Sequence, residues 1–403
     1  MKKIAIVTLA VALDGEKGYS RFRFLANMLS DSFEVDLITS TFQHWEKRQR
    51  SLSRVEELNT SYGINLAYEP GYKKNVDFRR FISHKVAVKN ILKILERKKY
   101  DLIYCIIPDN GMAKNVGRYA KQHGIKYVVD VEDLWPEAME MVSPLPKRIN
   151  GIIFSSFRRQ ARIAYQCADA FIGTSDEYKE VPKTEYGIHG KPAVTVYVGC
   201  DLDDFDDGVR EYTNEIEKPS EEFWVTYAGN LGSSYDIPTL IRATQKLYKD
   251  YPDIKIKILG SGPLEAEFKS IANEKNGHVE FVGYTPYRKM AAYLVKSDVL
   301  VNSFVKKAPQ SIVTKIGDYL AAGKPMINTL TSKEFKTKVT NDGFGINVEA
   351  ENVEALKNAI IELYNNDMIC QEMGAKARAV AEAEFDRKTS YKQITKLINI
   401  LLD

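Results

Sequence analysis

Tyr227-Ala228-Gly229-Asn230-Leu231-Gly232-Ser233-Ser234 is the stretch whose reading decides the fold. Before it, Trp224 to Ala228 is β-branched and apolar; after it, a helical pattern starts near Ile237. A strand, a loop of small residues and a helix N-terminus in that order let backbone N–H groups and the helix dipole approach a phosphate. Glycine is also an ordinary turn residue, so the stretch needs company. Downstream, Ile258-Leu259-Gly260-Ser261-Gly262-Pro263 and Val279-Glu280-Phe281-Val282-Gly283-Tyr284 each end a strand on a glycine turn. In Ser311 to Pro325, SIVTKIGDYLAAGKP, Gly323 closes a helix and Pro325 leads into the next strand.

The same alternation runs through the whole chain. Strands are expected at Ile4–Leu9, Val35–Thr39, Leu102–Ile107, Tyr127–Val131, Ala170–Thr174 and Val194–Val198. A second series follows at Trp224–Ala228, Ile254–Leu259, Val279–Val282, Val299–Asn302, Met326–Thr329 and Ile346–Val348. Many are continuously apolar, as strands covered by helices on both faces must be. The fold class is therefore α/β, two Rossmann-like doubly wound domains, with the acidic segment from Asp201 to Glu222 as the linker. At 403 residues each domain can bury its own core.

Met1-Lys2-Lys3 followed by Ile4 to Leu13 imitates a signal peptide. The competing reading is a buried parallel strand. Phe22, Leu25, Ala26 and Leu29 at helical spacing, then Glu34 to Thr39, favour the strand, because cleavage would strip that helix of its sheet. No run of 18 apolar residues occurs, so no transmembrane helix and a cytoplasmic protein are expected. Cys105, Cys167, Cys200 and Cys370 are scattered, which argues against a disulfide framework or a zinc site.

Charge is uneven. Residues 1–200 carry 31 Lys and Arg against 23 Asp and Glu, and the remainder 26 against 31. A basic first half suits a phosphate-bearing substrate, an anionic membrane surface or nucleic acid; an excess of solvated Lys reads the same. Between His44 and Tyr100 the basic residues interleave with aromatics, as in Phe78-Arg79-Arg80-Phe81. That pattern fits a surface that rests on a membrane or grips a diphosphate-linked acceptor, or merely the exposed flank of a core helix.

Two further places carry chemistry. Lys315 and Asp318 are i, i+3 neighbours, which makes either a surface ion pair of little weight or a cation for a diphosphate beside a carboxylate for a ribose diol. In the first half, Asp14-Gly15-Glu16-Lys17-Gly18 is a weaker turn of the same phosphate-cradling kind.

Taken in order, YAGNLG, GSGP, the V-x-F-x-G run and TKIGDYLAAGKP resemble the C-terminal domain of retaining glycosyltransferases of family 4, which have the GT-B fold. Asp133-Leu134-Trp135-Pro136-Glu137 resembles a segment of members that build bacterial surface polysaccharides such as capsule or O-antigen, and Val198 to Phe205 resembles the family's loop into its second domain. The resemblance implies an acceptor-binding domain over 1–205, joined by a returning helix at 386–403, and a donor-binding domain over 206–385, with the donor in a cleft. It implies a metal-independent, retaining transfer from a nucleoside-diphosphate sugar to a polyprenyl-diphosphate-linked saccharide. The enzyme would work at the inner face of the membrane, without nucleic acid and without a cofactor. Asp201-Leu202-Asp203 then falls on the interdomain loop and not on a metal site.

The resemblance also assigns roles. Lys315 is the catalytic cation; Asp133 and Glu132 are candidates, from their place at a strand's carboxyl end, for orienting the acceptor hydroxyl, and could equally be a helix cap and its neighbour. The donor lies on Gly15, Gly18, Gly229, Asn230, Ser233, Gly283, Tyr284, Gln310, Lys315 and Asp318. The chain departs from the family where the first of two usual Glu residues is Gln310, and where the usual Arg and Lys are Asn230 and Tyr235. Arg21 or Arg23 is the nearest candidate to replace the missing charge. A non-catalytic subunit and a nucleotide-sugar epimerase are the alternative readings.

Overall fold

Ile4, Ala5, Ile6 and Val7 are wholly buried and pair in parallel with Glu34–Ser40 on one side and Leu102–Ile107 on the other. The stretch that imitates a leader is thus an interior strand, Lys3–Val7. The computed structural model describes residues 1–74, 77–136, 143, 145–273, 278–308 and 310–403; Glu137 of the Asp133–Glu137 segment lies outside them. The chain divides into two units, Met1–Val196 with Tyr391–Asp403, and Tyr197–Ser390.

In the first unit seven parallel strands run in the order Gly63–Ala67, Glu34–Ser40, Lys3–Val7, Leu102–Ile107, Lys126–Val131, Ala170–Gly173, Ala193–Thr195. Side chains alternate between faces with the strand period of two. Ala5, Val7, Ile103, Cys105 and Ile107 pack with the helices Phe78–Leu95 and Asn110–His123. Ile4, Ile6, Leu102, Tyr104 and Ile106 pack on the other face with Phe22, Leu25 and Leu29 of Arg21–Leu29 and with Ile394, Leu397 and Ile398 of Lys392–Leu402. Two apolar faces explain why these strands read as unbroken apolar runs.

The second unit has six parallel strands in the order Val279–Gly283, Ile254–Leu259, Phe223–Ala228, Val299–Asn302, Met326–Asn328, Gly345–Asn347. Its chain order reverses between Phe223–Ala228 and Val299–Asn302. In an open α/β sheet that switch point leaves a crevice at the carboxyl ends of the strands, where ligands bind.

The domain boundaries differ from those expected. Tyr197–Phe205 and 386–390 belong to the second unit. The reason is a tight junction there. Cys200 N–H donates to the Phe385 carbonyl at 2.9 Å, Arg387 N–H donates to the Cys200 carbonyl at 3.0 Å, and the Tyr197 and Phe385 rings stack at 4.5 Å. The expected linker is largely helix, Leu202–Tyr212, capped by Asp201 and packed on Tyr287–Lys296. The sequence reading also missed the strand Gly63–Ala67, whose only fully buried residue is Ala67.

Candidate functional site

The loop after Phe223–Ala228 closes on its neighbours through backbone alone. Leu231 N–H donates to the Ser261 carbonyl, Gly260 N–H to the Gly283 carbonyl at 2.7 Å, and Val305 N–H to the Ser234 carbonyl. A Cβ on Gly260 would lie 1.8 Å from the Gly229 carbonyl oxygen, and Gly260 has φ +125°. Only glycine allows the loops after three adjacent strands to touch in this way. Gly229, Gly260 and Gly283 thereby stand side by side at the carboxyl end of the sheet, with Asn230 and Ser233 exposed on the rim.

Lys315 opens the helix Lys315–Ala321 and sends its side chain to this loop. Its Nζ lies 4.1 Å from the ring centre of Tyr227, 4.5 Å from Tyr235 and 5.2 Å from Phe304. A Cβ on Gly229 would be 3.2 Å from the same nitrogen. The Nζ is shielded from solvent and makes no hydrogen bond among the described residues. Burial pushes the ammonium well below the ordinary lysine range. The surrounding ring faces offset part of that penalty through cation–π attraction. Its N–H groups thus have no acceptor among the described residues in a place lined by aromatic rings, which is the environment a multiply charged oxyanion would relieve.

Lys315 and Asp318 do not form the ion pair that their spacing allowed. Asp318 is half-buried and accepts a 2.8 Å hydrogen bond from the Tyr287 hydroxyl. Burial pushes its carboxyl up to about 6, with the Tyr287 bond and the nearby Arg387 charge holding it from rising further. Gln310 Oε1 is a second buried polar atom with no partner among the described residues. Gly283 has φ +82° with open space where a Cβ would stand, and Tyr284 beside it is 58% exposed.

The first-unit candidates are placed differently. Glu132 accepts from the Tyr19 hydroxyl at 2.9 Å and pairs with Arg21 at 3.3 Å, while Arg21 also binds Asp130 at 2.9 Å. Burial raises the Glu132 carboxyl strongly against the Arg21 charge. Arg21 is wholly buried in this network and so is no substitute for the missing diphosphate cations, and Arg23 is paired with Asp14. Gly15 and Gly18, with φ +74° and +125°, form a turn braced by Glu16, which accepts from Leu13 N–H and Arg50. A Cβ on Gly18 would strike the Trp45 ring.

Asp133 is half-buried and lines a cavity of about 230 Å³ with Trp45, Tyr72, Trp135, Glu69 and Asp109. The cavity stands at the carboxyl ends of Lys3–Val7 and Leu102–Ile107, the switch point of the first sheet. Sequence reasoning missed Glu69, His84 and Asp109, which carry no motif and meet only because the strands before them are neighbours. It also missed the rings of Phe304 and Tyr287 for the same reason. Asp201 and Asp203 are engaged otherwise: Asp201 caps its helix and Asp203 pairs with Lys388.

Each unit is a doubly wound parallel sheet, and the second sets its glycine turns and the buried Lys315 side chain at its switch point, where open α/β sheets bind ligands. Residues 209–380, within the second unit, match the family of glycosyl transferases group 1. A curated relative is a GDP-mannose-dependent monoacylated alpha-(1-6)-phosphatidylinositol monomannoside mannosyltransferase of Corynebacterium glutamicum. It is 26% identical over 164 residues, and the match spans 40% of this chain and 42% of the mannosyltransferase. Among solved structures, a sucrose-phosphate synthase from Thermosynechococcus elongatus superposes with a TM-score of 0.75 at 18% identity, covering 100% of this chain and 99% of its own. Anabaena Alr3699/HepE in complex with UDP gives 0.71 at 15% identity, covering 99% and 100%. WaaG, a glycosyltransferase involved in lipopolysaccharide biosynthesis, gives 0.71 at 10% identity, covering 98% and 99%. The fold is that of GT-B glycosyltransferases.

Proposed function

We propose that this protein transfers a sugar from a nucleoside-diphosphate sugar to a saccharide carried on a phosphate-bearing polyprenyl lipid, in the building of a cell-surface polysaccharide. The observation that carries this reading is the unpartnered, buried Lys315 ammonium beside Gly229 at the switch point of the second sheet. The diphosphate lies against Lys315 and the Gly229–Ser234 loop, the ribose diol on Asp318 and the base near Gly283 and Tyr284. Gln310 Oε1 takes a hydroxyl of the donor sugar.

The chemistry needs only electrostatics. The bond between the anomeric carbon and the diphosphate oxygen breaks, the acceptor oxygen bonds to the same face, and its proton passes to the departing diphosphate. Lys315 stabilises the charge that develops on the leaving oxygen, so retention requires neither a metal ion nor a covalent intermediate. UDP in one structural neighbour supports a nucleotide donor, and the phosphatidylinositol-borne acceptor named in the mannosyltransferase relative supports a lipid-borne acceptor. The protein acts at the inner face of the membrane.

Thermal unfolding with UDP, GDP, CDP, ADP and dTDP tests the donor. A ligand at about a hundred times its Kd adds about 2.7 kcal/mol, a rise of several degrees. A rise with one nucleotide, followed by an axial glycoside from an axial donor, supports the reading. Silence with all five favours a non-catalytic subunit, the reading that Asn230, Tyr235 and Gln310 would then explain.

A further inference from the structure

The cavity at the first switch point has a neighbour. A groove of about 550 Å³ runs between the helices Phe78–Leu95, Asn110–His123 and Ser155–Cys167, and the two spaces share His84 and Asp109 as a common wall. Their linings are of opposite kinds.

The smaller space has the chemistry of a pyranose site. Trp45, Tyr72 and Trp135 supply aromatic lining, and Glu69 and Asp133 supply carboxylate acceptors for hydroxyls, while Asp109 is engaged by Met112 N–H and His84. The lining is held in place. His84 Nδ1 lies 2.8 Å from Asp109 Oδ2, Ser83 donates to Glu69 Oε1 at 2.8 Å, and Arg80 covers the Trp135 ring at 4.8 Å. His44, which bonds the Tyr72 hydroxyl, is pushed down to about 3 by burial and is neutral at physiological pH.

The larger space is apolar. Phe78, Phe81 and Val88 face Ile153, Phe154 and Phe157, and the Phe81 and Phe157 rings meet at 5.6 Å. Its lining includes exposed apolar side chains, with Phe78 76% and Ile153 49% exposed. Lys85 and Lys114 stand on its lining, and Arg118 and Arg159 lie close enough to act on Lys114. Burial, then these like charges, lowers the Lys114 ammonium. Lys85 and Lys114 share this lining with one carboxylate, Asp109, and two lysines beside an apolar groove favour an anion placed between them.

We propose that the first unit holds its acceptor in these two joined compartments. The saccharide sits in the polar cavity, the phosphates lie by Lys85 and Lys114, and the first isoprene units lie in the groove, whose exposed apolar edge meets the bilayer. The order saccharide, phosphate, hydrocarbon repeats the order polar cavity, cation cluster, apolar groove. This assignment rests on the glycosyl-transfer reading for its purpose but not for its test.

Trp45 and Trp135 line the polar cavity, and the remaining tryptophan, Trp224, is buried in the second unit, so intrinsic fluorescence reports the first site. The probes are farnesyl diphosphate carrying glucose, galactose, N-acetylglucosamine or N-acetylgalactosamine, with each free sugar and farnesyl phosphate as controls. At least one conjugate is expected to shift the emission and to bind about tenfold or more tighter than its separate halves. Lys114→Glu and Phe81→Asp, both at the solvent edge, are expected to weaken it by about tenfold or more, and Asp133→Asn to weaken the conjugate but not farnesyl phosphate. Unchanged affinity in the Lys114 and Phe81 variants overturns the groove assignment. Equal binding of dioleoyl phosphatidic acid nanodiscs without sugar overturns the polyprenyl glycoside as occupant. A nucleotide-induced rise in Tm with no conjugate binding overturns the acceptor site and leaves glycosyl transfer standing. Conjugate binding without any nucleotide effect does the reverse.

Discussion

The ammonium of Lys315 lies 4.1 Å from the ring centre of Tyr227 and has no hydrogen-bond partner among the described residues. A buried cation held only by aromatic faces lowers the stability of the ligand-free protein and is released from that penalty by an anion.

Lys315→Met separates the two effects. An apolar side chain of similar length removes the buried charge, so Tm should hold or rise while nucleotide affinity falls by about tenfold to a hundredfold. Thermal unfolding with and without the nucleotide that binds gives both numbers. Equal affinity in the variant would remove Lys315 from the donor site.

Lys315 also predicts a proton balance. Its pKa is depressed in the free protein and rises when a diphosphate arrives, so binding takes up a proton. Calorimetry at a series of pH values from neutral to alkaline, in buffers of different ionisation enthalpy, should show a range of uptake that Lys315→Met abolishes.

Asp318 acts at lower pH. Its folded pKa of about 6 lies above the ordinary aspartate value of 3.8, so the native state binds the extra proton between those values. Its contribution to stability is therefore fully present below about pH 4 and is lost as pH rises through about 6. Nucleotide affinity has the opposite sense if the carboxylate accepts both ribose hydroxyls. Affinity should fall as pH drops through about 6 in the wild type, and Asp318→Asn should be weaker and free of that dependence.

Arg21 and Asp130 are both wholly buried and 2.9 Å apart. Removing one partner strands the other charge, so Asp130→Ala should cost about 3–5 kcal/mol by denaturant unfolding. The double replacement Arg21→Met with Asp130→Leu should recover most of that loss. An additive double variant would mean that the pair is not coupled.

Gly260→Ala should disrupt the second unit's loop, because its Cβ would meet the Gly229 carbonyl and φ is +125°. Nucleotide binding is expected to be lost before the fold is. EDTA and Asp203→Asn should leave binding unchanged, since Asp203 is paired with Lys388.

Much of the architecture was legible in one dimension. A strand buried on both faces must be apolar along its length, so the runs at Leu102–Ile107, Ile254–Leu259 and Val299–Asn302 announced themselves. Glycines at strand ends marked the turns at Gly229, Gly260 and Gly283, because there the backbone itself makes the contact. Gly63–Ala67 was silent because only its last residue is fully buried. The linker looked like a loop because the acidic residues that cap and flank Leu202–Tyr212 resemble those of a turn.

The sequence by itself determined two doubly wound domains, their strand order in the chain, and the glycine loop with Lys315 nearby. Tertiary structure alone decided what those residues meet. It set Lys315 among the rings of Tyr227, Tyr235 and Phe304, gave Asp318 to Tyr287, and sealed Arg21 away with Asp130. It also joined Glu69, His84, Asp109 and Asp133 around one cavity. Local pattern records which face of an element is buried. Pairing between side chains far apart in the chain depends on the order in which strands lie side by side, and no local pattern carries that order.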